Sequence, residues 1–357
     1  MERLLKVSSH LAKNGVDALL IGKPENIFYA CGFQGEDSWL FLLKDGAAYL
    51  LTDARFREEA ERDCPRCTVL CQKSGADLSV LLGAVCQKVG IREVHFEGDF
   101  FSYQQYVSLR EEAPQVAFSS AAGLLEELRA VKEPEEIQLL RQAAAIGDAA
   151  FTAALPLIRP GLTEKDLAEI LRQQMIKAGA DALSFPVIAA AGPNCSICHA
   201  KPGDTVLRPG DMVLMDFGCI YRGYCGDMTR TVMLGPIERK AKEVYELVLA
   251  AQNAAFSVMA PGIPLETPYW AAMQVFEEAG VGDYFVHSLG HGVGLEIHEA
   301  PRMSRGQKDL IMPRQVITVE PGLYLPGWGG VRIEDVAVFT EESFENITKS
   351  PKELLIL

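Results

Sequence analysis

Residues 284–301 read Tyr284-Phe-Val-His-Ser-Leu-Gly-His-Gly-Val-Gly-Leu-Glu-Ile-His-Glu-Ala-Pro301. Three of the chain's six histidines, His287, His291 and His298, fall in this one stretch, and Gly290, Gly292 and Gly294 alternate around the middle one. Glycine lets a backbone lie closely against another group. A run of imidazoles on such a backbone is the pattern of a site rather than of a packed core. The glycines miss the G-x-G-x-x-G spacing of a dinucleotide loop, and His298-Glu299-Ala-Pro-Arg302 lacks the second histidine of H-E-x-x-H. No G-x-S-x-G and no P-loop occurs elsewhere.

Composition narrows the class. The chain has 357 residues, which at about 150 per domain suggests two domains. A hydrophobic content of 48% and a charged content of 23% are those of a globular protein with a sizeable core. The net charge is −14 and no Lys/Arg run interrupts it, so nucleic acid is not an expected partner. No run of about 20 apolar residues suggests a membrane span, and the charged N-terminus is unlike a signal peptide. A cytoplasmic protein is expected, with its nine cysteines as free thiols. Cys64, Cys67 and Cys71 form C-x2-C-x3-C, but no fourth ligand lies nearby in sequence for a closed zinc site. Cys195-Ser-Ile-Cys198-His199 fits the haem-attachment pattern, which would require export.

Residues 1–122 alternate helical and strand patterns, which argues an α/β domain with a partly parallel sheet. Met1–Asn14 has helical spacing. Trp39–Leu43 and Ala47–Leu51 flank the turn Lys44-Asp45-Gly46 as a hairpin. Residues 121–158 read as a long helical connector, with Lys132-Glu-Pro-Glu-Glu136 as a helix start. Thr163-x-x-Asp166 is a capping-box pattern opening a helix to about Ala178. Residues 123–357 form the second expected domain. Strand-like runs over Val187–Ala189, Met212–Phe217, Thr229–Leu234, Gln315–Val319 and Val331–Phe339, with two intervening helices, give an α+β domain with an antiparallel sheet.

Four carboxylates lie in or just beside these runs, where burial makes them costly. They are Asp216 in Met-Asp-Phe-Gly, Asp227 after the turn Tyr221-Arg222-Gly223, Glu320 in Val-Glu-Pro-Gly, and Glu334 in Val331-Arg-Ile-Glu-Asp-Val. The turn should bring Asp216 and Asp227 face to face, and period-two spacing should put Arg332 on the face of Glu334. Facing carboxylates repel unless a cation joins them. Two divalent ions would nearly balance four acids and one imidazole. The mainly oxygen donors with one histidine suit Mn, with Co, Zn or Fe as alternatives.

These segments, in this order, resemble the pita-bread metallopeptidases, the family of methionine aminopeptidase, aminopeptidase P and prolidase. Gly192-Pro-Asn194 with His199-Ala200, Met215-Asp-Phe-Gly218, Asp227-Met-Thr-Arg-Thr231, His287 to Glu299, Thr318-Val-Glu-Pro-Gly322 and Gly330-Val-Arg-Ile-Glu-Asp335 look like its signature segments. Asn26 to Phe33, Leu51 to Arg55 and Leu128 to Ile137 look like the creatinase-like N-terminal domain of its Xaa-Pro branch. The resemblance implies a curved, mainly antiparallel pita-bread sheet in the second domain. It implies that Asp216 chelates one metal, that Asp227 and Glu334 bridge two, and that His291 and Glu320 hold the other. A bridging hydroxide would attack the carbonyl before proline, and Glu320 would also move a proton. His287 and His298 would meet the scissile carbonyl or its oxyanion, His199 would line the pocket and Arg332 would touch substrate. Gly226 departs from the family, which often has serine or alanine before the aspartate. A homodimer is implied by resemblance alone.

The resulting expectation is a dinuclear-metal Xaa-Pro aminopeptidase acting on proline-containing peptides. The alternative is an Xaa-Pro dipeptidase; the choice for the aminopeptidase rests on the lack of a recognisable carboxylate clamp for dipeptides. A metal-free binding module or a creatinase-like amidinohydrolase would lack the full ligand set, which this chain has.

Overall fold

The computed structural model describes residues 2–72 and 77–357, so Met1 of the first expected helix lies outside the described residues. The chain divides into two compact units, Met1–Arg129 and Ala130–Leu357.

In the first unit a six-stranded sheet runs in the order Thr68–Cys71, Ala48–Thr52, Trp39–Leu43, Ala18–Ile21, Glu93–Phe96, Ala117–Ser120. The expected hairpin forms, with Trp39 opposite Leu51, and Ala18–Ile21 pairs antiparallel to it. The remaining three pairings are parallel, each reached through a helix, so the sheet is partly parallel as the alternating pattern requires. The Trp39–Leu43 strand is buried throughout, and Phe41, Leu43 and Leu20 pack with Leu82, Val85 and Cys86 of the helix Leu78–Val89. Such a doubly covered strand reads as a continuous apolar run.

The continuous helical connector expected over residues 121–158 is broken into separate helices. Helices Leu124–Ala130 and Pro134–Ala154 are separate, because Pro134 lacks an amide hydrogen and suits only a helix's first turn. Glu133 and Glu136 close a reciprocal capping box there, and Thr163 and Asp166 close another at the helix Glu164–Lys177.

The sheets of this unit are antiparallel. Met212–Phe217 lies between Ile188–Ala191 and Met228–Met233. Its alternate residues feed two cores: Met212 and Leu214 face the helices Arg239–Val258 and Glu266–Glu278, whereas Val213, Met215 and Phe217 face the helices Pro134–Ala154 and Glu164–Lys177. Period-two alternation therefore puts Asp216 at the end of the Met212/Leu214 face. A five-stranded sheet runs Glu299–Met303, Gly290–Gly292, Val316–Val319, Asp335–Phe339, Phe344–Asn346.

Val331–Phe339 is not one strand. Gly329–Arg332 pairs with Gly322–Leu325, and Asp335–Phe339 belongs to the five-stranded sheet. Between them the chain leaves the ladder: the Ile333 amide donates to Pro321 O and the Glu334 amide to Thr229 O. The apolar pattern is continuous across this crossing because both flanking strands are buried.

Candidate metal centre and active site

The three glycines of the opening stretch have ordinary backbone torsions; what they supply is space. A Cβ on Gly290 would overlap Thr318 O, and one on Gly292 would overlap Ala300 O. One on Gly294 would lie 2.5 Å from a Glu299 carboxylate oxygen. Gly290–Gly292 is thus pressed between its two neighbouring strands, and His291 is delivered to the sheet's interior, 6% exposed. Its amide donates to Thr318 Oγ1 (3.0 Å), and the same hydroxyl donates to Glu320 Oε1 (3.2 Å).

His291 Nε2 lies 3.3 Å from Glu320 Oε1 and 3.6 Å from Asp227 Oδ2. Asp227, His291 and Glu334 each offer one ligand atom, and these atoms lie within 4.8 Å of one another. Asp216 and Asp227 are not face to face in the ladder: Asp216 stands opposite Thr229, and Asp227 precedes the strand Met228–Met233. The turn between them is real, with Arg222 and Gly223 both at positive φ, but it joins a separate short hairpin, Cys219–Tyr221 with Tyr224–Cys225. Nor do Arg332 and Glu334 share a strand face, since the strand ends at Arg332.

The electrostatics are those of anions held apart from water. Burial, then the charge of Asp216, pushes the Asp227 carboxyl well above its ordinary range. Burial, then Asp227, does the same to Glu334, and burial raises Asp216 although Arg332 opposes it. Glu320 goes the other way: burial would raise it, but the hydrogen bond and charge of His291 bring it down to about 2. His291 is pushed up to about 9 against its own burial by Glu320 and Asp227. Asp216 Oδ1 and Glu334 Oε1 are buried with no hydrogen-bond partner. Two unpaired carboxylate oxygens beside a third acid and an imidazole fit a divalent cation, which would remove both the repulsion and the orphaned lone pairs.

Around this cluster is a cavity of roughly 530 Å³, lined by His199, His287, His298, Lys201 and Arg302 as well as the acids, a size suited to a small ligand. The His298 ring sits edge-on to His291 at 4.4 Å between centroids. His287 is engaged at both nitrogens: Nδ1 is 2.7 Å from Ser288 O, and Nε2 is 2.9 Å from the Tyr324 hydroxyl. Arg332 Nη1 donates to that hydroxyl (2.6 Å), so the Tyr324 proton is free to point at Nε2, leaving the Nδ1 hydrogen for Ser288 O. Burial lowers the His287 pKa, in keeping with a neutral ring. Arg332 lines the cavity but its donors are committed elsewhere: Asp216 Oδ2 at 2.5 Å, Thr229 Oγ1 at 3.0 Å, Tyr324 and Cys198 O.

Sequence reasoning missed several residues here. Tyr324 and Thr229 are ordinary strand residues until the fold aligns them, and Thr229 Oγ1 donates to Glu334 Oε2 (2.7 Å). Lys132 Nζ reaches Glu299 Oε2 at 3.1 Å, with the two side chains 1% and 5% exposed. Glu299 Oε1 also accepts from the Glu296 amide, so this pair closes the loop that carries His298. Arg302 stands directly opposite His291 in the register, which places both side chains on one face.

Comparison with known proteins gives the same picture. The profile of metallopeptidase family M24 matches residues 138–341, and that of the creatinase/prolidase N-terminal domain matches residues 3–131. An Xaa-Pro dipeptidase of Pyrococcus furiosus is 34% identical over 99% of this chain and 99% of its own. The structure of an Xaa-Pro dipeptidase from Bacillus anthracis superposes with a TM-score of 0.95 at 37% identity, covering 100% of this chain and 99% of its own. That of an X-Pro aminopeptidase from Thermotoga maritima gives 0.89 at 32% identity, over 96% and 98%. The α/β first unit and the α+β pita-bread second unit are the folds of these relatives.

Proposed function

The chain belongs to metallopeptidase family M24 and is a metal-dependent peptidase; on that premise we propose that it is an Xaa-Pro dipeptidase, hydrolysing the bond between a first residue and a C-terminal proline. This departs from the aminopeptidase expectation. The observation that carries it is the pair of cations at the cavity, Arg302 opposite His291 and Lys201 in the wall. A dipeptide presents its free carboxylate one residue from the scissile carbonyl, whereas a longer peptide has a neutral amide there. An arginine fork is matched to a carboxylate. The Pyrococcus and Bacillus relatives support the same choice.

Asp216, Asp227, His291, Glu320 and Glu334 are the residues we assign to two divalent ions, with manganese favoured by four carboxylates and one imidazole. When bound, such ions polarise a carbonyl and lower the pKa of water. Glu320, at the cavity and 3.3 Å from His291 Nε2, is the group that would accept a proton from the attacking water and return it to the leaving proline nitrogen. His298 is the donor to the developing oxyanion, because both ring nitrogens of His287 are already engaged. His287 and His199 then shape the wall against which the substrate is oriented. Arg332 holds Asp216 and Tyr324 rather than the substrate. The 1–122 and 123–357 division, with catalysis in the second part, a cytoplasmic location and a homodimer belong to this same reading. No helix among the described residues is long and apolar enough to cross a membrane.

The test compares Ala-Pro with Ala-Pro-Ala on the manganese-loaded enzyme and on Arg302→Ala. Strong preference for Ala-Pro, with KM for Ala-Pro rising about tenfold or more in the variant, is expected from loss of a charge-assisted contact. Equal or better cleavage of Ala-Pro-Ala by the parent enzyme would return the assignment to an aminopeptidase.

A further inference from the structure

Glu334 stands where the chain crosses between two sheets, so no strand ladder fixes it. Two neighbouring residues of another strand set its position instead. Its amide donates to Thr229 O (3.1 Å), its Oε2 accepts from Thr229 Oγ1 (2.7 Å), and its carbonyl accepts from Arg230 Nη1 (2.6 Å). Thr229 and Arg230 follow closely on Asp227, so these bonds tie together the two acids that cluster with His291.

Arg230 is 1% exposed and does not line the cavity. Every nitrogen of its guanidinium is nonetheless committed. Nη1 also donates to Thr229 O (2.9 Å), Nη2 donates to Asp335 Oδ1 (2.7 Å) and Ser350 O (2.8 Å), and Nε donates to Pro351 O (3.0 Å). Its charge is answered by Asp335 rather than by the acids of the cluster. The rest of the fork meets main-chain carbonyls from residues 229, 334, 350 and 351. A planar fork of fixed geometry can bracket several segments at once, which a lysine ammonium cannot reproduce.

The last of those segments is itself clamped. Asp148, on the helix Pro134–Ala154, accepts from the Lys349 and Ser350 amides (2.9 and 2.7 Å) and from Ser350 Oγ (2.6 Å). Thr348 Oγ1 accepts from the Val336 amide (3.0 Å), and the Tyr245 hydroxyl donates to Lys352 O (2.9 Å). These bonds fix the Ser350 and Pro351 carbonyls that receive Arg230. Thr348 also borders one crevice with Gly226 and Asp227, so the segment passes close to that acid.

We propose that Arg230 and residues 346–352 are a positioning device for the metal centre. The carbonyls of the segment hold the guanidinium, and the guanidinium holds Glu334 at the separation from Asp227 at which one cation reaches both. This rests on the metal assignment made above. Arg230 and Asp148 act through Glu334 and touch neither substrate nor ion. Groups that orient a metal ligand change affinity by about 10–100-fold when removed.

The experiment measures Mn2+ binding to the chelated full chain, from the electron paramagnetic resonance of the free ion. It is run at a temperature where each variant keeps the parent's far-ultraviolet circular dichroism. Arg230→Lys keeps the charge but loses the fork, and should raise the Kd for Mn2+ about tenfold or more. Asp148→Ala loosens the segment while leaving Arg230 in place, and should raise it by a smaller factor, about threefold. A general loss of stability would not produce the next result: in the Glu334→Gln background, neither substitution should weaken binding further, because the ligand being positioned is already gone. Should Arg230→Lys fail to fold, Asp148→Ala carries the same comparison. Parent-like binding in folded Arg230→Lys or in Asp148→Ala, with Glu334→Gln impaired, would overturn the positioning device and leave the metal assignment standing. So would effects that add in full to that of Glu334→Gln. Parent-like binding in Glu334→Gln would overturn the metal assignment and the device with it.

Discussion

Glu97 in the first unit and the acids of the second are both buried carboxylates, and they answer burial in opposite ways. Glu97 is 4% exposed; its Oε2 accepts from the Gly22 and Lys23 amides at 2.7 and 2.8 Å, and its Oε1 accepts from Asn26 Nδ2 at 2.6 Å. Every direction is answered by a neutral or backbone donor, and the group ties the start of the helix Pro24–Cys31 to the strand Glu93–Phe96. Asp216 and Glu334 each keep one oxygen unanswered, and both sit beside Asp227 and Glu320. The contrast recurs between neighbours. Asp335 is salt-bridged to Arg230 and Lys352 and accepts from Asn346, while Glu334, one residue earlier, keeps a bare oxygen. Satisfied carboxylates hold the fold together; unsatisfied ones that converge offer a place for a cation.

The largest effect that could break this contrast is on turnover. Asp227→Asn or Glu334→Gln should reduce Ala-Pro hydrolysis to background while leaving the protein folded by circular dichroism. Glu97→Gln should leave kcat within about twofold at temperatures where the protein is folded, as expected of a residue outside the site. The reverse outcome would place the functional acid in the wrong unit.

Next in size is the Lys132–Glu299 pair. Lys132→Ala removes the cation that faces Glu299 in this buried pair and should cost about 3–5 kcal/mol in urea denaturation. The double substitution Lys132→Met with Glu299→Gln should recover much of that loss. If the single variant lost less than about 1 kcal/mol, as an exposed pair does, the pair would not be closing the His298 loop.

Glu97 sharpens the comparison through pH. Burial pushes its carboxyl up to about 7 in the folded protein, against 4.5 ordinarily. Folding therefore favours the protonated form: the stabilisation is complete below pH 4.5 and is lost as pH rises towards 7. The difference in unfolding free energy between the parent and Glu97→Gln should change by up to about 3 kcal/mol across that window. A difference constant with pH would mean that the surrounding donors, and not burial, set the ionisation of Glu97.

The smallest expected effect is stabilisation by ligand. Manganese at one hundred times its dissociation constant should stabilise the parent by about 2.7 kcal/mol per site, read as a rise in Tm. Asp227→Asn should show less of this rise, and Glu97→Gln all of it.

Much of this was legible in the sequence. The doubly buried strands announce themselves as apolar runs, and a carboxylate inside such a run, as at Asp216 or Glu334, is conspicuous because its burial needs a reason. The close packing around Gly290 and Gly292 could be anticipated because glycine is the residue that permits it. What could not be read were facts of register and crossing. The passage from one sheet to another at Ile333 and Glu334 leaves no mark in an apolar pattern that continues on both sides. Arg302 meets His291 only through a ladder whose register shifts between His291 and Gly292. The sequence therefore carries no sign that Arg302 shares a face with His291. Cys31 meets Cys64 only once two helix ends are brought together, and Lys132 meets Glu299 across 167 residues.

The most direct test of the central claim is Ala-Pro hydrolysis followed through complete chelation, verified by metal analysis, and then stepwise return of Mn2+. The account predicts that activity falls to background in the metal-free, folded protein and returns with the added ion, with Asp227→Asn failing to recover. Undiminished hydrolysis by the metal-free enzyme would contradict it.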